Sequence, residues 1–165
     1  MTYYFYDTCS LLLRANDLFD KNEHIALSSI TLSELENIKT SANKDADVKY
    51  AARRLLHTLD ENKDKYDTII FKTSMLEPIV AADIEVTNDT KILACALAYD
   101  CKWHPDEVVF VTNDLALKMI ANLFFGEDSI ISIDEGAAAD EYTGFIERWL
   151  TNDELGEFYA HPNEN

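Results

Sequence analysis

Short apolar runs alternate along the chain with stretches in which apolar residues recur every three to four positions. Runs of the first kind are typical of buried strands, and the second pattern is typical of helices that pack on one face. The pattern predicts strands near residues 3–6, 24–29, 68–71, 108–111 and 129–133. It predicts helices near residues 11–19, 31–39, 47–59, 89–99 and 114–124.

Strands that alternate with helices favour a parallel sheet covered on both faces. The predicted fold class is therefore α/β, a three-layer α/β/α arrangement with a central parallel sheet of about five strands. The 165 residues fit one domain covering 1–165. Residues 136–165 are predicted to form an acidic C-terminal extension packed on it.

The formal net charge is −17, which repels nucleic acid at long range. The charge is uneven, since residues 39–72 hold eight bases and six acids, a net of +2. Within the third predicted helix, Lys49, Arg53 and His57 recur at four-residue steps. This stripe is either a surface that contacts an RNA backbone or a solvated face that balances the acidic helices.

The three cysteines, Cys9, Cys95 and Cys101, form no CxxC pair and indicate neither a disulfide framework nor a zinc knuckle. Cys95 lies in an apolar run and is predicted to be buried. The N-terminus does not resemble a signal peptide, and no apolar stretch is long enough to span a membrane. These features predict a cytoplasmic protein.

Four acidic residues lie where strands end or helices begin. Asp7 follows the first strand, Asp114 follows the fourth, and Glu34 and Asp89 lie near helix starts. In open α/β sheets these positions share one edge. Capping is the alternative role for Glu34, Asp89 and Asp114. Asp7 has no capping role if Ser10 caps the first helix.

Carboxylates gathered at one edge without a nearby base repel one another, and a bound cation relieves that repulsion. Hard oxygen ligands favour Mg²⁺ or Mn²⁺ over zinc. The sequence therefore predicts a Mg²⁺ or Mn²⁺ site that is suited to chemistry on phosphate.

Several stretches resemble the PIN-domain family, and most closely the PIN domains of PhoH-type proteins. The similar stretches include residues 5–12, 30–39, 88–94 and 109–114, together with residues 52–54, 142–144 and 153–155. In many PIN domains an Asn stands where this chain has Cys9. PhoH-type PIN domains often precede an ATPase domain, which this sequence does not contain.

The resemblance implies a metal-dependent endoribonuclease that cuts single-stranded RNA by water attack, leaving 5′-phosphate and 3′-hydroxyl ends. It implies catalytic roles for the four acids, with the metal held by Asp7, Asp89 and Asp114. Polar residues expected beside these ligands are Thr8, Thr112 and Asn113. The residues expected to bind the substrate are Lys49, Arg53 and Arg54.

Other functions stay open at this point. The chain is alternatively a catalytically weak PIN scaffold that binds RNA or a protein partner, or the toxin component of a toxin–antitoxin pair. A homo-oligomer or an ATPase partner domain is also compatible with the resemblance. A haloacid-dehalogenase-type phosphatase is disfavoured because Asp7-Thr8-Cys9 lacks a second Asp. A receiver domain is disfavoured because Lys118 lies too deep in a predicted helix.

Overall fold

A computed structural model describes residues 1–103 and 106–133 and contains a five-stranded sheet. The strands are β1 Thr2–Tyr6, β2 His24–Ser28, β3 Tyr66–Ile69, β4 Glu107–Val111 and β5 Ile130–Ile131. The helices are α1 Thr8–Leu13, α2 Ser29–Thr40, α3 Ala46–Glu61, α4 Glu77–Ala81, α5 Asn88–Trp103 and α6 Leu115–Ala121. Short 3₁₀ turns cover Lys63–Lys65, Thr73–Leu76 and Glu127–Ser129.

All strand pairs are parallel, in the order β3-β2-β1-β4-β5. The chain builds outward from β1 through β2 to β3 and then returns to place β4 on the other side of β1. The strand order therefore reverses between β1 and β4. In such sheets a crevice opens there, beyond the carboxyl ends of the strands. The predicted fold class is confirmed, and the first and fourth strands are neighbours in the sheet.

The aromatic side chains of β1 pack on both faces of the sheet, because successive side chains of a strand point to opposite sides. Tyr6 packs in one apolar cluster, with residues of α1, α2 and α3. Tyr3 and Phe5 pack in the other, with residues of α4, α5 and α6. Cys95 belongs to the second cluster and is buried, as predicted. The sheet thus lies between two helical layers.

Several predicted boundaries are wrong. The helix expected over residues 11–19 is α1, which begins at Thr8 and ends at Leu13. Strand β3 begins two residues earlier than predicted, β5 is shorter, and α6 ends at Ala121. Helix α4 was not predicted, because five residues are too few to show a helical period.

The predicted acidic extension of residues 136–165, with its turn at residues 142–144, lies outside the described residues. Among the helices that are described, none has the length and apolar character needed to cross a membrane.

Candidate active site

The edge of the sheet at the carboxyl ends of β1 and β4 places Asp7 close to Thr112. Tyr6 pairs with Val111 in the last register position of the two strands. The Asp7 N–H then donates to the Val111 carbonyl at 3.1 Å. Residues 7 and 112 therefore leave the sheet side by side, and the side chains that follow each strand meet in the crevice.

Asp7 is buried, with 4% of its surface exposed, and both of its carboxylate oxygens accept hydrogen bonds. Oδ1 accepts from the Ser10 N–H at 2.8 Å, and Oδ2 accepts from the Thr112 hydroxyl at 2.6 Å. The Thr112 hydroxyl also accepts from the Asp114 N–H at 3.1 Å, so it links the two acids. Burial raises the pKa of Asp7, hydrogen bonds from Thr112 and Ser10 lower it, and the charge of Asp114 raises it.

These contacts correct one prediction. Asp7, and not Ser10, is the N-cap of α1, because its side chain accepts from the Ser10 N–H. The argument that Asp7 has no capping role is therefore wrong. The cap uses only one oxygen of the carboxylate, and each oxygen keeps a lone pair that remains available to a cation.

Glu34 is a second buried carboxylate, with 1% of its surface exposed. Its Oε1 accepts from the Thr8 hydroxyl at 2.5 Å. Among the residues that the structure describes, its buried Oε2 has no hydrogen-bond partner. Burial raises the pKa of Glu34 to about 7, Thr8 and Asn88 lower it, and the charge of Asp7 raises it. The Asn88 side chain therefore lies close enough to lower the pKa of Glu34, although it makes no hydrogen bond with Oε2.

The expected capping box of Thr31 and Glu34 does not form. Helix α2 begins at Ser29, and its N-cap is Ser28, whose hydroxyl accepts from the Thr31 N–H at 3.1 Å. Because α2 starts earlier than predicted, Glu34 lies in its second turn, beyond the reach of the cap. Its side chain is therefore left for contacts inside the protein.

Asp89 and Asp114 complete the group. Burial raises the pKa of Asp89 well above its usual value, and the charges of Glu34, Asp114 and Asp7 raise it further. Asp89 was expected to share the capping of α5. Instead, Thr87 accepts from the Thr90 N–H at 3.2 Å, while the Thr90 hydroxyl accepts from the Thr87 N–H.

Asp114 does cap α6, since its Oδ1 accepts from the Leu117 N–H at 3.1 Å. The capping alternative therefore holds for Asp114 alone among the three residues for which it was considered. Capping leaves the negative charge of Asp114 in place, and that charge raises the pKa values of both Asp7 and Asp89.

The four carboxylates lie in one shared electrostatic field, because the charges of neighbouring acids raise the pKa values of Asp7, Glu34 and Asp89. Within residues 1–103 and 106–133, no group of three or more His, Cys, Asp or Glu side chains is arranged to hold a metal ion. Mg²⁺ typically binds through one or two carboxylates and keeps several waters. The all-oxygen donor set and the unpaired Oε2 of Glu34 fit such a hydrated ion.

The remaining predicted site residues divide into two groups. Thr8 and Thr112 contact the acids directly, as described above. Asn113 does not, because its Oδ1 accepts from the Ile133 N–H at 2.7 Å and holds the chain after β5. The expected substrate-binding residues lie on α3, away from the strand ends.

Ser28 had no predicted role, and Asn88 was considered only as an alternative to Asp89 for the cap of α5. Ser28 is buried at the start of α2, and Asn88 acts on the pKa of Glu34. The only signal for Ser28 was a hydroxyl residue three positions before Thr31. For Asn88, the signal was a polar residue directly preceding Asp89 at a predicted helix start.

Replacing Thr112 with Val is expected to destabilise the fold by about 1–3 kcal/mol, because Asp7 Oδ2 loses its donor and the Asp114 N–H loses its acceptor. The free energy of unfolding in urea at pH 7 measures this. Thr112→Ser is the matched control, since it keeps the hydroxyl. Equal stability of the Val and wild-type chains would show that the Thr112 bridge contributes nothing.

The described geometry defines an α/β domain with a carboxylate-lined crevice at the reversal point of a parallel sheet. The PIN domain family matches residues 4–124, well over half of the chain, and the protein belongs to this family. PIN domains are generally nucleases, which supports a nuclease function here. The PhoH-type likeness and an ATPase partner are not supported by these comparisons and remain predictions from the motifs.

Among solved structures, the chain is similar to the crystal structure of VapBC2 from Rickettsia felis bound to a DNA fragment from their promoter. The match has a TM-score of 0.48 and 21% identity, and it covers 81% of this chain and 100% of that one. A likeness at this level carries no argument about function, so the toxin alternative stays a prediction. No curated protein matches the chain.

Proposed function

We propose that the protein is a metal-dependent endoribonuclease that hydrolyses phosphodiester bonds of single-stranded RNA. The observation that carries the proposal is the set of carboxylates at the reversal point of the sheet, where burial and neighbouring negative charges raise the pKa values of Glu34 and Asp89. Keeping such charges together without a base costs stability. The need to bind a cation at this site would explain why the fold keeps these carboxylates together despite the loss of stability.

In this proposal Asp7, Asp89 and Asp114 surround a hydrated Mg²⁺ or Mn²⁺, which one or two of these carboxylates bind directly and the rest bind through its water molecules. A bound cation of this kind polarises a phosphoryl oxygen and lowers the pKa of an attacking water. Asp7 is kept in place by Ser10 and Thr112, which fix both of its oxygens.

Glu34 has a different role in this proposal. Its pKa of about 7 lies near the operating pH, which suits a group that accepts a proton from the attacking water. The unpaired Oε2 is the atom that receives the proton, because Oε1 already accepts from Thr8. Thr8 therefore orients the carboxylate while leaving one oxygen available.

Incubation of the full chain with a labelled, unstructured RNA tests the activity. Cleavage is expected with Mg²⁺ or Mn²⁺ and none with a chelator, and the products should carry 5′-phosphate and 3′-hydroxyl ends. Cleavage that persists unchanged in the chelator, or an absence of cleavage with either ion across a range of unstructured RNAs, would overturn the proposal.

Metal binding distinguishes a nuclease from a catalytically weak PIN scaffold. Added Mn²⁺ is expected to raise the melting temperature of the wild-type chain, since a ligand at about 100 times its Kd stabilises a fold by about 2.7 kcal/mol. Asp7→Asn should lose most of this shift. An unchanged melting temperature for the wild-type chain would favour the scaffold.

A further inference from the structure

A groove of about 630 Å³ lies between α2 and α3, apart from the acidic crevice. Its lining residues are Glu36, Lys39, Lys49, Arg53, Leu56, His57 and Asp60. Leu56 is the one apolar residue among them. We call this feature the α2–α3 groove. Because six of its seven lining residues have charged or ionisable side chains, it suits a charged ligand better than the apolar centre of a protein interface.

The acids of the α2–α3 groove are already paired with lysines. Glu36 Oε1 lies 2.9 Å from Lys39 Nζ, and Asp60 Oδ1 lies 3.1 Å from Lys63 Nζ. Within the described residues, Lys49 and Arg53 make no ion pair. Two uncompensated cations therefore face the groove of a chain whose net charge is −17.

The basic side chains form a row along α3. Lys49, Arg53 and His57 follow one another at four-residue steps and line the same groove. Each step advances about 6 Å along the helix axis. A ligand with one negative charge per repeating unit can contact such a row at successive positions, whereas a small anion would contact one end of it.

Helix α2 links this groove to the acidic crevice. Glu34 belongs to the crevice, and Glu36 and Lys39 of the same helix line the groove. Lys39 lies five residues after Glu34, which is about 7.5 Å along the helix axis. At about 100° per residue, however, Lys39 lies about 140° around the helix from Glu34, so a strand in the groove would have to pass around α2 to reach the carboxylates.

We propose that the α2–α3 groove binds the phosphate backbone of single-stranded RNA through Lys49 and Arg53. In doing so it overcomes the repulsion that the acidic chain exerts on the strand. The role in leading RNA to the carboxylates rests on the proposed nuclease function, while the binding itself does not. Lys21 provides a comparison, because it is exposed and does not line the groove.

The test measures the affinity of the full chain for a fluorescent oligouridine in a chelator, so that no cleavage occurs. Arg53→Glu is expected to weaken binding by about tenfold or more. Lys21→Glu makes the same change in net charge outside the groove and is expected to weaken it by about twofold or less. The slope of log affinity against log salt should fall by about 0.7 for each phosphate that the variant no longer neutralises, and only for Arg53→Glu.

Equal losses for the two variants would overturn the proposal, because they would reflect total charge rather than the groove. Unchanged binding by Arg53→Glu would also overturn it, and an acidic protein segment would then be the better ligand. Circular dichroism and melting curves check that both variants fold. If the groove binds RNA but the wild-type chain never cleaves it, the proposed nuclease function is wrong and the proposed RNA-binding groove stands. If cleavage depends on Asp7 but Arg53→Glu does not change RNA binding, the proposed groove is wrong and the nuclease function stands.

Discussion

Asp7→Asn is expected to reduce RNA cleavage by at least about a hundredfold while leaving the fold intact. Substitutions in groups that merely orient metal ligands cost about 10–100-fold in metal affinity or activity, and Asp7 is a proposed ligand itself. The amide oxygen of Asn still accepts from the Ser10 N–H, and Asn caps helices about as well as Asp. The substitution therefore removes the charge and keeps the cap.

The same variant is expected to melt at or above the wild-type temperature in the absence of metal. Burial raises the pKa of Asp7, which means that its charged form is held at a cost. A neutral side chain removes that cost, and the Nδ2 of Asn can donate to the Thr112 hydroxyl in place of the hydrogen bond that Asp7 Oδ2 accepts. Lower activity together with equal or higher stability is the pattern of a residue kept for function.

Asp20→Asn is the matched control for this experiment, because it makes the same chemical change at an exposed aspartate. Initial cleavage rates in Mn²⁺ and thermal melts of the three chains give the comparison. If Asp7→Asn cleaves as fast as Asp20→Asn, Asp7 is not catalytic. If Asp7→Asn melts much lower than the wild type, any loss of activity reflects unfolding.

The sheet could be predicted because its signals are local. The run Tyr3-Tyr4-Phe5-Tyr6 is apolar at every position, which is expected only of a strand buried on both faces. Strand β3 was misplaced because it lies at the edge of the sheet, where Asp67 and Thr68 are exposed. An edge strand need not be apolar on both faces, so its boundaries leave a weaker pattern.

The site was harder to predict, because several residues with capping side chains compete for each helix start. Ser10 and Asp7 both had the chemistry of a cap, as did Thr31 and Ser28. Which of them caps depends on where the strand ends, and a pattern fixes that point only to within a few residues. Moving the N-cap of α2 by three residues, from Thr31 to Ser28, changes Glu34 from a capping residue into a buried carboxylate.

The electrostatic interaction among the four acids depends on contacts between distant parts of the chain. Asp89 follows Asp7 by more than eighty residues, yet the charges of Asp7, Glu34 and Asp114 all act on its pKa. The sequence predicted only that the acids share one edge of the sheet, and they come together there because β4 crosses back beside β1. The depth of burial that raises the pKa values follows from the three layers together, and no single segment encodes it.

Glu34→Gln is expected to remove a large part of the pH dependence of stability. The pKa of Glu34 rises from 4.5 to about 7 on folding, so the folded state holds the proton more tightly than the unfolded state. Its contribution to stability is fully present below pH 4.5 and is lost as the pH rises through about 7. A shift of this size corresponds to about 3 kcal/mol as an upper value.

Urea unfolding at pH 5 and pH 8, without metal, measures this effect. The wild-type chain is expected to lose stability between the two values, and Glu34→Gln should lose less while keeping an acceptor for Thr8. Glu36→Gln is the control on the same helix, since Glu36 is exposed. The charge of Glu34 also raises the pKa of Asp89, and Glu34→Gln removes that charge. The dependence of the unfolding free energy on pH should therefore become weaker still. Parallel pH profiles for the wild-type and Glu34→Gln chains would mean that Glu34 is not held near neutrality, and it would then lose its proposed role as the proton acceptor.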